Sequence, residues 1–204
     1  MKNLIIASNN QDKINEIKDI LGNKFNLISM KDYGIVADIK EDGSTFEENA
    51  LIKAKYIHSI TGQACLADDS GLSVSALNGY PGVFSARFSD LEFINNKPVL
   101  RGNTHDDEAN NKKLLLSLKN KKDRSAKYVC AIALIDGNKT FISRGECTGY
   151  ILSSPMGKNG FGYDPYFFSD EINMCFGLAT KEAKNSISHR AKALHDLVEK
   201  LNND

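Results

Sequence analysis

Several groups of residues in this chain of 204 have types and spacings suited to chemistry. The first is acidic: Glu41, and the adjacent pair Asp68-Asp69 followed by Ser70-Gly71, at a point where a strand is expected to end. Mg²⁺ takes one or two protein carboxylates and fills its other positions with water and phosphate oxygens, so this set suits that ion. One of the carboxylates can also orient or deprotonate an attacking water. Asp and Gly are turn residues too, and a solvated acidic turn is the plain alternative.

The second group is Ser8-Asn9-Asn10-Gln11-Asp12-Lys13, at a strand–turn–helix junction. A helix N-terminus carries unpaired N–H groups and a partial positive charge, which suit phosphate. Ser8 and Asn10 would add side-chain donors and Lys13 a full charge. The G-x-x-x-x-G-K-[ST] phosphate loop does not occur. An ordinary capped helix with a solvated lysine reads equally from these residues. Lys53, one turn after Asn49, can bring a further charge to a polyphosphate or can simply face water.

The third group is Gly157-Lys158-Asn159-Gly160-Phe161-Gly162-Tyr163-Asp164-Pro165. Its glycines let the backbone approach a ligand closely, and Phe161 offers a face to a planar base. Asp164 can accept a base N–H, and a glycine-rich turn with core aromatics is the other reading. The fourth group is Lys184 with Ser188-His189-Arg190. His and Arg donors match the O6 and N7 acceptors of a 6-keto purine, whereas adenine presents a donor at position 6. Guanine shares O6 and N7 with hypoxanthine, so its rejection would have to come from position 2. A helix start with surface charges is the alternative for this group.

Regular elements must hold these groups in place. Residues 3–8 read as a buried strand, 12–21 as a helix with Ile14, Ile17 and Leu21 at helical spacing, and Gly22 as its cap. Residues 25–29 read as a second strand. Ser44-Thr45-Phe46-Glu47 places a capping serine three residues before a glutamate, opening a helix that Gly62 ends. Cys65-Leu66-Ala67 leads, strand-like, into the acidic pair. Residues 89–106 are polar and without clear period, so a loop or lobe insertion is expected there. A leucine-rich helix follows over 107–118. Strands 127–135 and 139–144 flank Asp136-Gly137-Asn138, a hairpin signal. A final helix carries Leu194, Leu197, Val198 and Leu201 on one face. Strands alternating with helices predict a single α/β domain over 1–204 with mixed strand directions.

Composition narrows the function classes. Apolar residues make up 41% and charged residues 25%, a globular balance. Lys+Arg and Asp+Glu both number 26, without the positive excess a broad nucleic-acid surface needs. No apolar run reaches membrane-spanning length, and the N-terminal run is too short for a signal peptide. Cys65, Cys130, Cys147 and Cys175 are scattered, as expected of reduced thiols in a cytoplasmic protein.

Taken together the segments resemble the inosine/xanthosine triphosphate pyrophosphatase family. Ser8-Asn9-Asn10-Gln11-Asp12-Lys13-Ile14-Asn15-Glu16 resembles its opening [ST]-x-N-x-x-K-x-x-E element. The stretch from Glu41 to Ala50, with Lys53-Ala54, resembles E-x-G-x-T-F-x-E-N-A-x-x-K-A. Ala67 to Leu72, Pro81 to Arg87, Asn159 to Pro165 and Ser188-His189-Arg190 complete the pattern in order. The resemblance implies hydrolysis of ITP, dITP and XTP to monophosphate and pyrophosphate with Mg²⁺ as cofactor. It implies an elongated mixed β-sheet with flanking helices, two lobes around a central substrate cleft, and a homodimer. By the same resemblance, residues 8–13 and Lys53 bind the triphosphate, and Glu41 and Asp69 hold Mg²⁺. Asp69 is also the base, Asp68 its close support, and which of the two meets the metal directly stays open. Ser70 touches substrate, and Phe161, Gly162, Tyr163, Asp164, Lys184, His189 and Arg190 surround the base. Two rivals remain: a related pyrophosphatase acting on modified pyrimidines, and a non-catalytic nucleotide sensor. The Ser-His-Arg and Phe-Gly-Tyr-Asp elements speak against the first, and intact Glu41, Asp68 and Asp69 against the second.

Overall fold

The computed structural model describes all 204 residues, Met1–Asp204. Strand β1 (Lys2–Ile6) leads into helix α1 (Gln11–Leu21) and strand β2 (Phe25–Ser29). Helix α2 (Phe46–Thr61) and strand β3 (Cys65–Val74) follow. A short hairpin of β4 (Leu91–Ile94) and β5 (Lys97–Leu100) precedes helix α3 (Asp107–Ser117). Long strands β6 (Ser125–Asp136) and β7 (Lys139–Ile151) come next, then β8 (Phe167–Ser169) and β9 (Met174–Cys175). Helices α4 (Lys181–Ile187) and α5 (His189–Asn202) close the chain.

Seven strands form one sheet in the order β2-β1-β3-β6-β7-β8-β9. β1 runs parallel to both β2 and β3, while β8 runs antiparallel to β7 and β9, so the sheet is mixed as expected. The chain divides into two compact units. The first comprises Met1–Ser70, Val129–Glu146 and Ser188–Asp204; the second comprises Gly71–Tyr128 and Cys147–Ile187. Each has its own apolar core. In the first, Leu4, Ile6 and Leu66 pack with Cys130, Ile132 and Leu134 against α1 (Ile14, Ile17, Leu21) and α5 (Ala193, Leu194, Leu197). In the second, Leu72, Leu114, Tyr128, Ile151, Phe167 and Phe176 belong to one cluster. No helix is long and apolar enough to cross a membrane. All four cysteines are free and buried. Burial pushes the Cys65 and Cys130 thiols up to about 12, so both stay protonated and inert.

Three local expectations are corrected. The cap of α2 is Thr45, not Ser44: Thr45 Oγ1 accepts the Glu48 N–H at 3.1 Å, and the Glu48 carboxylate accepts the Thr45 N–H at 3.3 Å. The box is shifted by one residue because Glu48, not Glu47, stands three places after the hydroxyl that turns inward. Residues 89–106 are not a plain loop, since they contain the β4–β5 hairpin. Asn95 and Asn96 both adopt left-handed backbone (φ 51 and 61), the conformation a two-residue hairpin turn requires. Finally, Asp68 and Asp69 do not sit at the end of their strand. β1 stops beside Leu66, but β3 continues through the acidic pair to Val74.

Gly145 shows how tightly α5 is seated. A Cβ at this β7 position would lie 2.1 Å from the His189 carbonyl oxygen and 2.5 Å from the Ala193 nitrogen. Only glycine lets the strand backbone approach that helix so closely.

Thr45→Ala is expected to cost about 1 kcal/mol, seen as a lower urea midpoint. Ser44→Ala, which loses no cap bond, is expected to change stability by less than about 0.5 kcal/mol.

Candidate active site

Successive side chains of a strand point to opposite faces, and β3 uses this to give its two aspartates different surroundings. Asp68 turns toward α1 and α5. Its Oδ2 lies 3.2 Å from Lys13 Nζ and accepts from Arg190 Nε at 3.3 Å and Nη2 at 3.1 Å. Burial alone would push the Asp68 carboxyl up, but Lys13, Arg190 and Lys53 outweigh it and hold the group well below the usual carboxylate range. Asp68 is therefore a permanent anion.

Asp69 turns toward α2. Asn49 Nδ2 donates to its Oδ2 at 3.0 Å, and the Ser70 N–H donates to its Oδ1 at 3.0 Å. Lys53 Nζ lies 3.8 Å from Asp69 Oδ1 and 3.0 Å from Glu41 Oε2. The segment bearing Glu41 is tied to α2 as well, because the Gly43 N–H donates to Asn49 Oδ1 at 2.8 Å. Burial pushes the Asp69 carboxyl up to about 6 against the pull of Lys53 and Lys13, and the nearby Glu41 adds to the rise. Lys53 moves the other way in effect. Burial would lower it, but Asp69, Glu41 and Asp68 together hold its ammonium charged, above the ordinary lysine value. The lysine is thus surrounded by anions, while burial keeps Asp69 short of full ionisation despite its cations.

That shortage is the test of whether the residues fit a metal. Glu41 and Asp69 converge on a single positive group, and two carboxylates are the donor set Mg²⁺ takes. No cluster of three or more His, Cys, Asp or Glu side chains is gathered, as a softer metal would need.

The N-terminus of α1 is partly occupied by its own sequence. Asn10 Oδ1 accepts the N–H groups of Asp12 (2.9 Å) and Lys13 (3.1 Å), and Ser8 Oγ accepts that of Asn10 at 3.2 Å. Asn9 Nδ2 donates to the Ala37 carbonyl at 3.1 Å, and Gln11 Nε2 to Asn15 Oδ1 at 2.9 Å. Two of the N–H groups expected to face phosphate are thus held by the cap, and Asp12 adds a negative charge in the first turn. Lys13, closed on Asp68, is the cation this turn contributes.

Arg190, expected beside a purine, is 1% exposed, and its guanidinium is engaged inside the first unit. Besides Asp68, it pairs with Glu16 of α1 and donates to Ser70 Oγ at 2.8 Å. Burial alone would favour loss of its proton, but Asp68 and Glu16 hold it charged even more firmly than usual. The physical reason is charge balance: Asp68 and Glu16 are both buried and need a bidentate cation. His189, the neighbour of Arg190 at the start of α5, is also buried in the first unit.

In the second unit Asp164 is likewise taken up, being 2% exposed. Its Oδ2 accepts the Phe161 N–H at 2.9 Å and Lys184 Nζ at 2.7 Å, and its Oδ1 accepts the Tyr128 hydroxyl at 3.1 Å. With these three donors it ties the glycine loop together. Gly160 permits this: it adopts φ +75, and a Cβ there would lie 2.0 Å from Asp164 Oδ2. Tyr163 is buried and donates to the Ser85 carbonyl at 2.7 Å, so it too supports the loop. Phe161 and Gly162 stay partly exposed, and the Lys184 ammonium sits 4.8 Å from the centre of the Phe161 ring. The structure thus assembles two sets. Glu41, Lys53, Asp68, Asp69, Ser70, Lys13 and Arg190 come together in the first unit, and Phe161, Asp164 and Lys184 in the second. Glu16, Asn49 and Tyr128 join them without having been singled out for these roles. Asn49 stands one turn before Lys53 on α2, and that spacing was the available signal.

Two outcomes follow for the metal-free protein. Arg190→Ala leaves two buried carboxylates without their cation and is expected to cost about 3–5 kcal/mol in denaturant unfolding. Asp69 has a folded-state value raised above its unfolded one. The stability it contributes is full below about pH 4 and is lost as pH rises through about 6. Asp69→Asn, always neutral, is therefore expected to unfold like the parent near pH 4 and to exceed it by up to about 3 kcal/mol above pH 6.

The Ham1 family matches residues 4–200 of this chain. A Clostridium tetani protein named dITP/XTP pyrophosphatase is 44% identical over 206 residues, spanning 98% of this chain and 96% of its own. A Geobacter sulfurreducens protein of the same name is 45% identical over 205 residues, spanning 98% and 97%. Among solved structures, the Staphylococcus aureus Ham1 protein gives a TM-score of 0.84 at 39% identity, covering 99% of both chains. A HAM1 protein from Coxiella burnetii gives 0.84 at 37%, covering 100% of both. With its α/β architecture, its mixed sheet and full-length relatives at this identity, the chain belongs to the Ham1 family.

Proposed function

We propose that the protein is a Mg²⁺-dependent pyrophosphatase that hydrolyses dITP, ITP and XTP to the nucleoside monophosphate and pyrophosphate. The observation that carries this is Asp69: a buried carboxylate, fixed by Asn49 and the Ser70 N–H and kept short of full ionisation beside Glu41. Such a group is suited both to a divalent cation and to a water proton. The substrate class rests on the full-length relatives named dITP/XTP pyrophosphatase.

Glu41 and Asp69 would hold the ion, and bound there Mg²⁺ would supply charge neutralisation on the phosphate oxygens. Asp69 accepts the proton of a water whose oxygen attacks the α-phosphorus. The bond from that phosphorus to the bridging oxygen breaks, and pyrophosphate leaves. Lys13 and Lys53, now closed on Asp68 and on Glu41 and Asp69, turn to the triphosphate and offset the charge that develops on the leaving group. Arg190 fixes Asp68, which keeps the next residue of β3 in place. In the second unit Phe161 stacks on the base, and Lys184, held by Asp164, presents a donor beside that ring. A hydrogen-bond donor there favours the keto groups of hypoxanthine and xanthine over amino groups. The reading extends to a cytosolic homodimer that binds neither nucleic acid nor membrane. Four free buried thiols fit a reducing compartment, and sedimentation tests the dimer.

Product analysis is the test. With Mg²⁺, each of dITP, ITP and XTP is expected to give monophosphate and pyrophosphate in one step; a diphosphate with inorganic phosphate overturns the reading. Chelator is expected to abolish turnover with the circular dichroism unchanged, since Mg²⁺ on two carboxylates contributes little to folding. Asp69→Asn should lower kcat by about 10²-fold to 10⁴-fold on every nucleotide alike.

A further inference from the structure

Gly162, beside the Phe161 platform, has both of its backbone polar groups held by side chains of α3. Its N–H donates to Asp107 Oδ2 at 2.9 Å, and its carbonyl accepts from Asn111 Nδ2 at 2.9 Å. Asp107 and Asn111 stand four apart, so they share one face of the helix and grip a single residue between them. Gly162 itself adopts left-handed backbone (φ 62). All three residues lie in the second unit.

We propose that Asp107 and Asn111 are positioning residues for base recognition: α3 clamps Gly162 and so fixes the backbone from which the Phe161 ring is presented. This inference rests on the reading that Phe161 stacks on the base. Asp164 holds the other side of Phe161 through its N–H, so the platform is fastened on both flanks, by a carboxylate each time. Asp107 is exposed and opens the first turn of α3, where a carboxylate already suits the helix dipole. That helical role does not require it to reach Gly162. Asn111, by contrast, is buried, and its side-chain amide is spent on the Gly162 carbonyl. Ordering the loop in advance spares the substrate the entropy of fixing one or two backbone residues on binding. Releasing the clamp is therefore expected to weaken binding and leave the chemical step alone.

The experiment compares Asp107→Ala, Asp107→Asn and Asp106→Ala in the full chain. Asp106 caps α3 through the Ala109 N–H at 3.0 Å, so its loss weakens the same helix end without touching Gly162. Asp107→Ala is expected to raise KM for dITP about tenfold with kcat changed less than twofold, and to speed hydrogen exchange at the Gly162 amide. Asp107→Asn keeps an acceptor oxygen and is expected to restore both. Asp106→Ala is expected to lower stability with KM and Gly162 exchange unchanged. The inference is overturned if Asp107→Ala leaves KM as it was, if kcat falls in its place, or if Asp106→Ala reproduces its effect. Failure of the functional reading looks different: the unmodified protein then gives no monophosphate and pyrophosphate from dITP, while the exchange rates at Gly162 still report the clamp.

Discussion

A buried guanidinium underlies the first unit. Arg190 reaches from α5 to Asp68 on β3, to Glu16 on α1 and to Ser70, so one planar cation ties three elements that an apolar core alone would leave free to slide. Taking these charges out of water is costly, and their mutual attraction offsets that only when the geometry is met in full. The network therefore acts less as added stability than as a register mark. It admits one relative placement of α1, β3 and α5, and Asp69 is the next residue along the strand.

The pleat of β3 does the rest. A single peptide step separates Asp68 from Asp69 but sends them to opposite sides of the sheet. On one side a carboxylate meets two cations and stays ionised; on the other a carboxylate shares one lysine with Glu41 and is held nearer to its neutral form. Two identical side chains thus acquire opposite electrostatic character from strand geometry alone. A turn, where neighbouring side chains splay without a fixed rule, could not have divided them so cleanly. Asp164 repeats the lesson in the second unit, where a carboxylate that looks available in the sequence is filled by Phe161, Lys184 and Tyr128.

Much of the fold was legible from local signals. Helical spacing located α1, α2, α3 and α5, and Asp136-Gly137-Asn138 located the β6–β7 turn, because these depend on residues close in sequence. The β4–β5 hairpin was hidden: Asn95-Asn96 turns like Asn-Gly without the glycine, and Pro98 inside β5 argues against a strand. Site residues were legible as types and not as partners. Glu41, Lys53 and Asp69 do gather, as their chemistry suggested. The sequence shows Arg190 only as a donor next to a histidine. What claims it is a glutamate 174 residues away in sequence, and no local pattern reports such a distance.

The order in which the chain visits its two units bears on its synthesis. The first unit is begun by Met1 and finished only by Ser188–Asp204, with the whole of the second unit's sequence in between. A ribosome releases the chain from its N-terminus, so the unit started first is the last to be completed. Until α5 emerges, Ile14, Ile17 and Leu21 lack the apolar cover of Ala193, Leu194 and Leu197, and Glu16 and Asp68 wait without their guanidinium. A chain halted just after Ile187 therefore carries every segment of the second unit and an open first one. The fourteen residues of α5 therefore close a unit whose other segments all precede them in the chain.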